Sequence, residues 1–204
     1  MLYEIVTLSC LPFEQDTVSA GAYRWVSDAD ASGRLLGAWR TEIGELFQIK
    51  LLRAFETPEA LEQERARALA STRPFNIETP SVGLSMERYA PFSFLPPVKP
   101  AVFGGVYEFR TYCLRPGGLE PTLAGWERAI EPAHAYTSHL VVNLYALDGP
   151  PRITHIWGFS SFAERIELRA RHYAQGLWPP VGGPQQIARA TSTIALPEAY
   201  SPLK

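Results

Sequence analysis

In the segment VYEFRTY, residues 106 to 112, a carboxylate, a guanidinium and a phenol occupy every second position as Glu108, Arg110 and Tyr112. Alternate residues of a strand share a face, so these three point together while Tyr107, Phe109 and Thr111 point the other way. An acid beside an arginine can pair and hold a polar ligand group in a fixed direction. If helices cover the apolar face, the polar trio looks into a cavity between two sheets; the plainer role is an ion pair that keeps the sheets in register. His155 and Trp157 share a face of RITHIWGF in the same way. An imidazole beside an indole can polarise or stack on a flat apolar substrate, or simply complete a core. Trp39 in GAWRTEIG offers a further aromatic surface for a ligand. Glu42 could serve as a base if burial raised its pKa, or be a surface carboxylate beside Arg40. The ligand-binding candidates are therefore Glu108, Arg110, Tyr112, His155, Trp157 and Trp39, with His155 and Glu42 the candidates for proton transfer.

Other chemistries find little to stand on. His134, His139, His155 and His172 all lie in the second half of the chain. His134 and His139 are five apart with no carboxylate at helical spacing between them, so no metal site is expected. No glycine-rich phosphate loop, nucleophile elbow or HExxH occurs, which removes nucleotide hydrolysis and serine chemistry. A formal charge of −2 provides no basic field for nucleic acid. The chain has no run of about 18 apolar residues, so membrane insertion is not expected; its first residues, MLYEIVTLS, lack the pattern of an export signal, and a cytoplasmic protein is expected. Cys10 and Cys113, without a CxxC or histidine companion, read as free thiols.

The elements that carry these residues occur twice. At a shift of 104, LYEIVTLSCLP falls on VYEFRTYCLRP, and residues 2 to 70 share 16 identities with 106 to 174 in 69 gapless pairs. One long period means two copies of a small domain. The proline-rich stretch APFSFLPPVKPAV, residues 90 to 102, reads as an extended connector, dividing the chain into domains 1–95 and 103–204. In the second copy Leu119, Leu123, Trp126, Ile130, Ala133 and Thr137 form a helical stripe that Pro132 should kink or end near Glu131. HLVVNLYAL and RITHIWGF make a hairpin about DGPP. Ser161 and Glu164 cap a helix whose Phe162, Ile166, Ala170 and Tyr173 should pack inward, leaving its charged face to solvent. Thr57 and Pro58 open the equivalent helix of the first copy. SVGLSMERY and ATSTIALP supply the closing strands. The order βαββαβ implies an α+β fold, with two tandem ferredoxin-like domains burying their bare sheet faces against each other as a barrel.

Residues 37 to 65, GAWRTEIGELFQIKLLRAFETPEALEQER, resemble the core of the NIPSNAP family, and THIWGFSSFAERIELR at 154 to 169 restates its later part. The opening YEFRTYCLRPGG and closing ALPEAYSPL are similar to that family's first and terminal strands. TEIG has no counterpart in the second copy, and HIW none in the first, so a site using both would be composite. The resemblance implies the dimeric α+β barrel fold, whose wider relatives include cofactor-free monooxygenases, heme enzymes and lactone isomerases. Heme on one of the histidines would rest on fold analogy alone. The expectation is a protein that binds or transforms a small hydrophobic or aromatic molecule between its sheets, without a bound cofactor and monooxygenase-like at most. The alternative is a non-catalytic interaction module, favoured if the PFSFLPP stretch is exposed. Relatives of this fold pair their sheets, so a homo-oligomer is expected.

Overall fold

The protein is described by a computed structural model covering residues 1–78 and 83–204. The first half runs β1 (Leu2–Ser9), α1 (Gln15–Val26), β2 (Arg34–Ile43), β3 (Gln48–Phe55), α2 (Pro58–Ala70) and β4 (Gly83–Pro91). The second runs β5 (Val106–Leu114), α3 (Leu119–Ile130), a short α4 (His134–Thr137), β6 (Leu140–Ala146), β7 (Arg152–Phe159), α5 (Phe162–Ala174), a short α6 (Gly183–Gln186) and β8 (Ile187–Pro197). The first two residues of the expected SVGLSMERY strand lie outside the described residues. Thr57 Oγ1 accepts from Ala60 N and Ser161 Oγ from Glu164 N, so both second helices start at the expected caps. Pro132 lies beyond the last residue of α3, as its missing N–H requires. No helix among the described residues is long and apolar enough to cross a membrane.

The strands close into one barrel in the order β1-β3-β2-β8-β5-β7-β6-β4. Each half contributes the ferredoxin-like arrangement, and the halves meet edge to edge through antiparallel β2–β8 and β4–β6 pairs. Closure satisfies the edge donors and acceptors that two separate sheets would leave open. The repeat extends to register. Tyr3↔Ala54, Glu4↔Arg53 and Ile5↔Leu52 in β1–β3 become Tyr107↔Gly158, Glu108↔Trp157 and Phe109↔Ile156 in β5–β7, each shifted by 104. The gapless alignment fails in one place. Trp39↔Lys50 corresponds to Leu144↔Thr154, so β6 is offset by 105 while its partner keeps 104. One added residue before β6 and one lost from the following turn cancel, which identity counting cannot see.

The expected faces of β5 are reversed. Tyr107 and Phe109 fill the barrel lumen with Tyr3, Ile5, Trp39, Leu52, Tyr89, Leu144 and Ile156. An eight-stranded barrel has an interior just wide enough for such side chains. Glu108, Arg110 and Tyr112 face the helices instead. Alternation separates two faces but does not say which is inner when both are buried. The stripe on α5 is reversed with it: Phe162, Ile166 and Tyr173 are exposed, while Arg165 turns inward to the sheet. Polar face meets polar face, and each compensates the other's desolvation.

Two buried carboxylates at matching positions organise this layer. Glu108 accepts from Arg165 Nε at 2.9 Å and Nη2 at 2.5 Å, and from Ser192 Oγ at 2.6 Å. Glu4 accepts from Arg53 Nε at 3.2 Å and from Arg65 Nη1 at 3.1 Å. Arg53 also donates to Glu64 at 2.6 Å, and Arg67 covers the same carboxylate at 2.7 Å. Burial alone would raise the Glu108 carboxyl, but the Arg165 hydrogen bonds, the Arg110 charge and the Ser192 hydroxyl outweigh it and hold the pKa below the usual value. A lowered carboxyl pKa contributes stability above its unfolded value of about 4.3, lost as pH falls through the folded one.

Glu108→Gln is accordingly expected to cost about 3 kcal/mol at neutral pH by stranding Arg165, measured by urea unfolding. The variant should lose less stability than wild type on acidification below about pH 4.3. An unchanged midpoint at neutral pH, or an identical acid limb, would contradict this role.

Candidate functional site

Five of the six ligand candidates assemble, but on the helix side of the second half. Glu108, Arg110 and Tyr112 on β5 and His155 and Trp157 on β7 are in register as Glu108↔Trp157 and Arg110↔His155, beneath α3, α4 and α5. Trp39 sits apart in the lumen, with its ring 5.2 Å from Tyr107 and 5.1 Å from Phe109 between centroids. Glu42 is exposed near the end of β2. Arg40 pairs not with Glu42 but with Glu198 and Asp16, each at 2.8 Å.

An aromatic layer surrounds the five. Trp157 stacks on Tyr136 at 4.4 Å, and Trp126 meets Trp178 edge to face at 4.7 Å. His155 lies between Tyr112 at 4.9 Å and Trp126 at 5.0 Å. In front of this layer opens a cavity of about 290 Å³ bounded by Tyr112, Leu114, Thr122, Trp126, Trp178 and Ile187. Its walls come from β5, α3, the last turn of α5 through Tyr173, and the segment leading into β8. The cavity is at the lower end of small-molecule pocket sizes, and its lining is apolar and aromatic as such pockets usually are.

Behind the lining, several polar atoms lack partners among the described residues. His155 is 1% exposed, and its Nδ1 accepts from Trp157 Nε1 at 2.5 Å. An indole nitrogen only donates, so Nδ1 carries no proton, and the neutral ring must carry its hydrogen on Nε2. That Nε2 has no partner. Burial, followed by the Arg110 and Arg169 charges, pushes the imidazole well below its ordinary pKa. His155 is thus arranged as a hydrogen-bond donor rather than as a general base. Tyr136 Oη and both amide atoms of Asn143 are likewise buried and unpartnered. Arg110 Nε lies 3.2 Å from Glu108 Oε1 but makes no hydrogen bond with proper geometry. Asn143 pairs with His155 across β6–β7, so it belongs to the same face. Burial also raises the Tyr112 and Tyr136 phenols, which keeps both protonated.

The remaining histidines do not join the group. His134 is exposed, His139 stacks on Phe159 at 5.1 Å, and His172 is buried with Nδ1 2.8 Å from Leu168 O. Among the described residues no cluster of three or more histidine, cysteine, aspartate or glutamate side chains could hold a metal ion. Cys10 and Cys113 are free, as expected. Tyr136, Asn143, Arg165 and Trp178 are not among the candidates that sequence spacing offers. Asn143 alone left a signal, as one amide inside the apolar run LVVNLYA.

At the matching place of the first half the lining and its surroundings are substituted. The position of Trp157 is Arg53 there, that of Leu168 is Glu64, that of His155 is Leu51 and that of Tyr112 is Leu8. The Arg53–Glu64 pair and the Trp25 indole bonded to Glu64 at 3.1 Å fill the corresponding space.

Residues 107–202 match the NIPSNAP family model. A NIPSNAP family protein of unknown function from Agrobacterium tumefaciens is 33% identical over 50% of this chain and 96% of its own, with a TM-score of 0.44. Over nearly the whole chain the architecture is similar to a presumptive monooxygenase of Lactobacillus acidophilus NCFM. That structure has 9% identity and a TM-score of 0.67, over 96% of this chain and 93% of the other. It is also similar to an anthrone oxidase-like protein, with 15% identity and a TM-score of 0.63 over 98% and 93% of the two chains. At such identities the likeness shows the dimeric α+β barrel fold alone. No curated protein matches the chain. The family match over residues 107–202 and the 33% identity to the Agrobacterium protein over 96% of that protein place this chain in the NIPSNAP family.

Proposed function

We propose that the protein binds a small, flat, apolar molecule carrying an oxygen, in the helix-side cavity of its second half. The observation that carries this reading is the pairing of an aromatic cavity with unpartnered buried donors just behind its wall. Stacking on Tyr112, Trp126 and Trp178 would hold the rings. Arg110 and the Nε2–H of His155 would receive a hydroxyl, keto or enolate oxygen after a small movement of the Tyr112 ring. The space between the sheets, where the sequence leads one to expect such a ligand, holds Trp39 but none of the other five candidates.

Chemistry would go no further than cofactor-free oxygenation. An enolate held by a guanidinium is electron-rich enough to reduce dioxygen directly, and the two similar structures described as a monooxygenase and an anthrone oxidase-like protein lend support. With anthrone, the balanced outcome is one dioxygen consumed and one anthraquinone and one water formed. The interaction-module reading draws less support, because Phe92 of the PFSFLPP stretch is buried against Trp126 rather than exposed. Self-association remains part of the proposal, with the outward Phe162 and Ile166 of α5 as its apolar surface. So does residence in the cytoplasm.

Anthrone should raise the melting temperature and quench tryptophan fluorescence. Ile187→Trp, which fills the cavity from a half-buried position, should weaken binding about tenfold or more while shifting the melting temperature by no more than a few degrees. Unchanged anthrone affinity in that variant would contradict the site. In the free protein, nitrogen-15 shifts of His155 should report the Nε2–H tautomer with no titration near the ordinary pKa of about 6.5. A midpoint there would remove it as a neutral donor.

A further inference from the structure

We propose that the polar end of the barrel lumen is a second ligand site, in which Lys50 takes the carboxylate of a small aromatic or aliphatic acid. The lumen is not filled along its whole length. Toward the end where β2 turns into β3, a cavity of about 400 Å³ opens between Ile5, Lys50, Glu87, Tyr89, Phe109, Thr111, Thr154, Thr191 and Thr193. Ile5 and the rings of Tyr89 and Phe109 form an apolar floor, and threonine hydroxyls ring the walls. This cavity and the helix-side one lie on opposite faces of β5, to which Phe109 and Tyr112 respectively belong.

Lys50 is the charge in this lining that has no counter-ion. Its ammonium donates to Thr7 Oγ1 at 3.1 Å and lies 5.9 Å from the centre of the Phe109 ring. Among the described residues no carboxylate comes within ion-pair distance of it. The two acids that line the cavity are otherwise placed. Glu87 is held by Arg152 at 2.8 Å and by the Tyr89 hydroxyl at 3.2 Å, and Glu45 is exposed on the turn. Burial, only partly opposed by Glu87 and Glu45, lowers the Lys50 pKa, as expected of a partly desolvated ammonium with no carboxylate in contact. A carboxylate entering from the open end would restore that charge pairing, and its apolar body would rest on Phe109 and Ile5. Thr193, opposite Phe109 in the β5–β8 pair, adds a hydroxyl to the same wall that could donate to the second carboxylate oxygen.

The chain's only lysines are Lys50, Lys99 and Lys204, and the last two are exposed. Benzoate is the probe, benzamide its uncharged analogue, and reductive methylation read by mass spectrometry reports each lysine in the folded wild-type protein. Benzoate at about millimolar concentration should slow methylation of Lys50 several-fold and leave Lys99 and Lys204 unchanged, while benzamide should protect at least tenfold less well. By calorimetry, Lys50→Met should weaken benzoate at least tenfold, and Ile187→Trp should leave it unaltered. The proposal is overturned if benzoate does not protect Lys50, if benzamide protects equally, or if Lys50→Met binds benzoate like wild type. Failure of anthrone to bind would leave this result standing, because the two cavities share no lining residue.

Discussion

A carboxylate on the first strand of each half, buried where water cannot reach it, dictates how the helices sit on this barrel. Glu4 and Glu108 occupy equivalent positions, and neither is exposed at all. An isolated buried carboxylate would be too costly, so each fixes an arginine from the second helix of its own half, Arg65 or Arg165. Once that pairing is made, the faces of β1 and β5 are decided. The alternating residues Tyr3, Ile5, Tyr107 and Phe109 go into the lumen, and closing the barrel buries them. The helices consequently meet a polar strip of sheet, and α5 turns its apolar ridge outward.

From this shared frame the halves have diverged in what fills the space beside the carboxylate. The first half packs it with charge, as Glu4, Arg53, Glu64 and Arg67 neutralise one another around Trp25. The second has exchanged the inner members of that network for Trp157 and Leu168 and placed His155, Asn143 and Tyr136 around them. Aromatic rings offer few hydrogen-bonding groups, and polar atoms among them are left short of partners among the described residues. A duplicated scaffold can bear this in one half, because the other half and the eight-stranded ladder keep the barrel closed.

Much of this was legible in the chain and some was not, for identifiable reasons. The repeat, the strand and helix order, the Ser161 and Thr57 caps and the DGPP hairpin are local or periodic, and local chemistry specifies them. The grouping of Glu108, Arg110, Tyr112, His155 and Trp157 was also legible, since strand alternation puts residues two apart on one side. Their orientation was not. Period-two reading carries no sign, and the rule that helices cover the more apolar face fails when a helix brings its own arginine to a buried acid. Asn143 and Tyr136 join the site only through β6–β7 register and the placement of α4, which one-dimensional spacing does not encode. A cavity between the sheets is expected from the sequence, but its lining was not legible: Lys50, Thr111 and Thr154 meet only after closure brings three strands around.

The orientation of β5 and β7 is the claim on which both cavities rest, and nuclear Overhauser contacts in the free protein test it most directly. The account predicts cross-peaks from the Trp157 indole to Tyr136 and Trp178, and from the Phe109 ring to Trp39. Contacts from Trp157 to Trp39 or Ile5 instead would put the polar strip inside the barrel and contradict it.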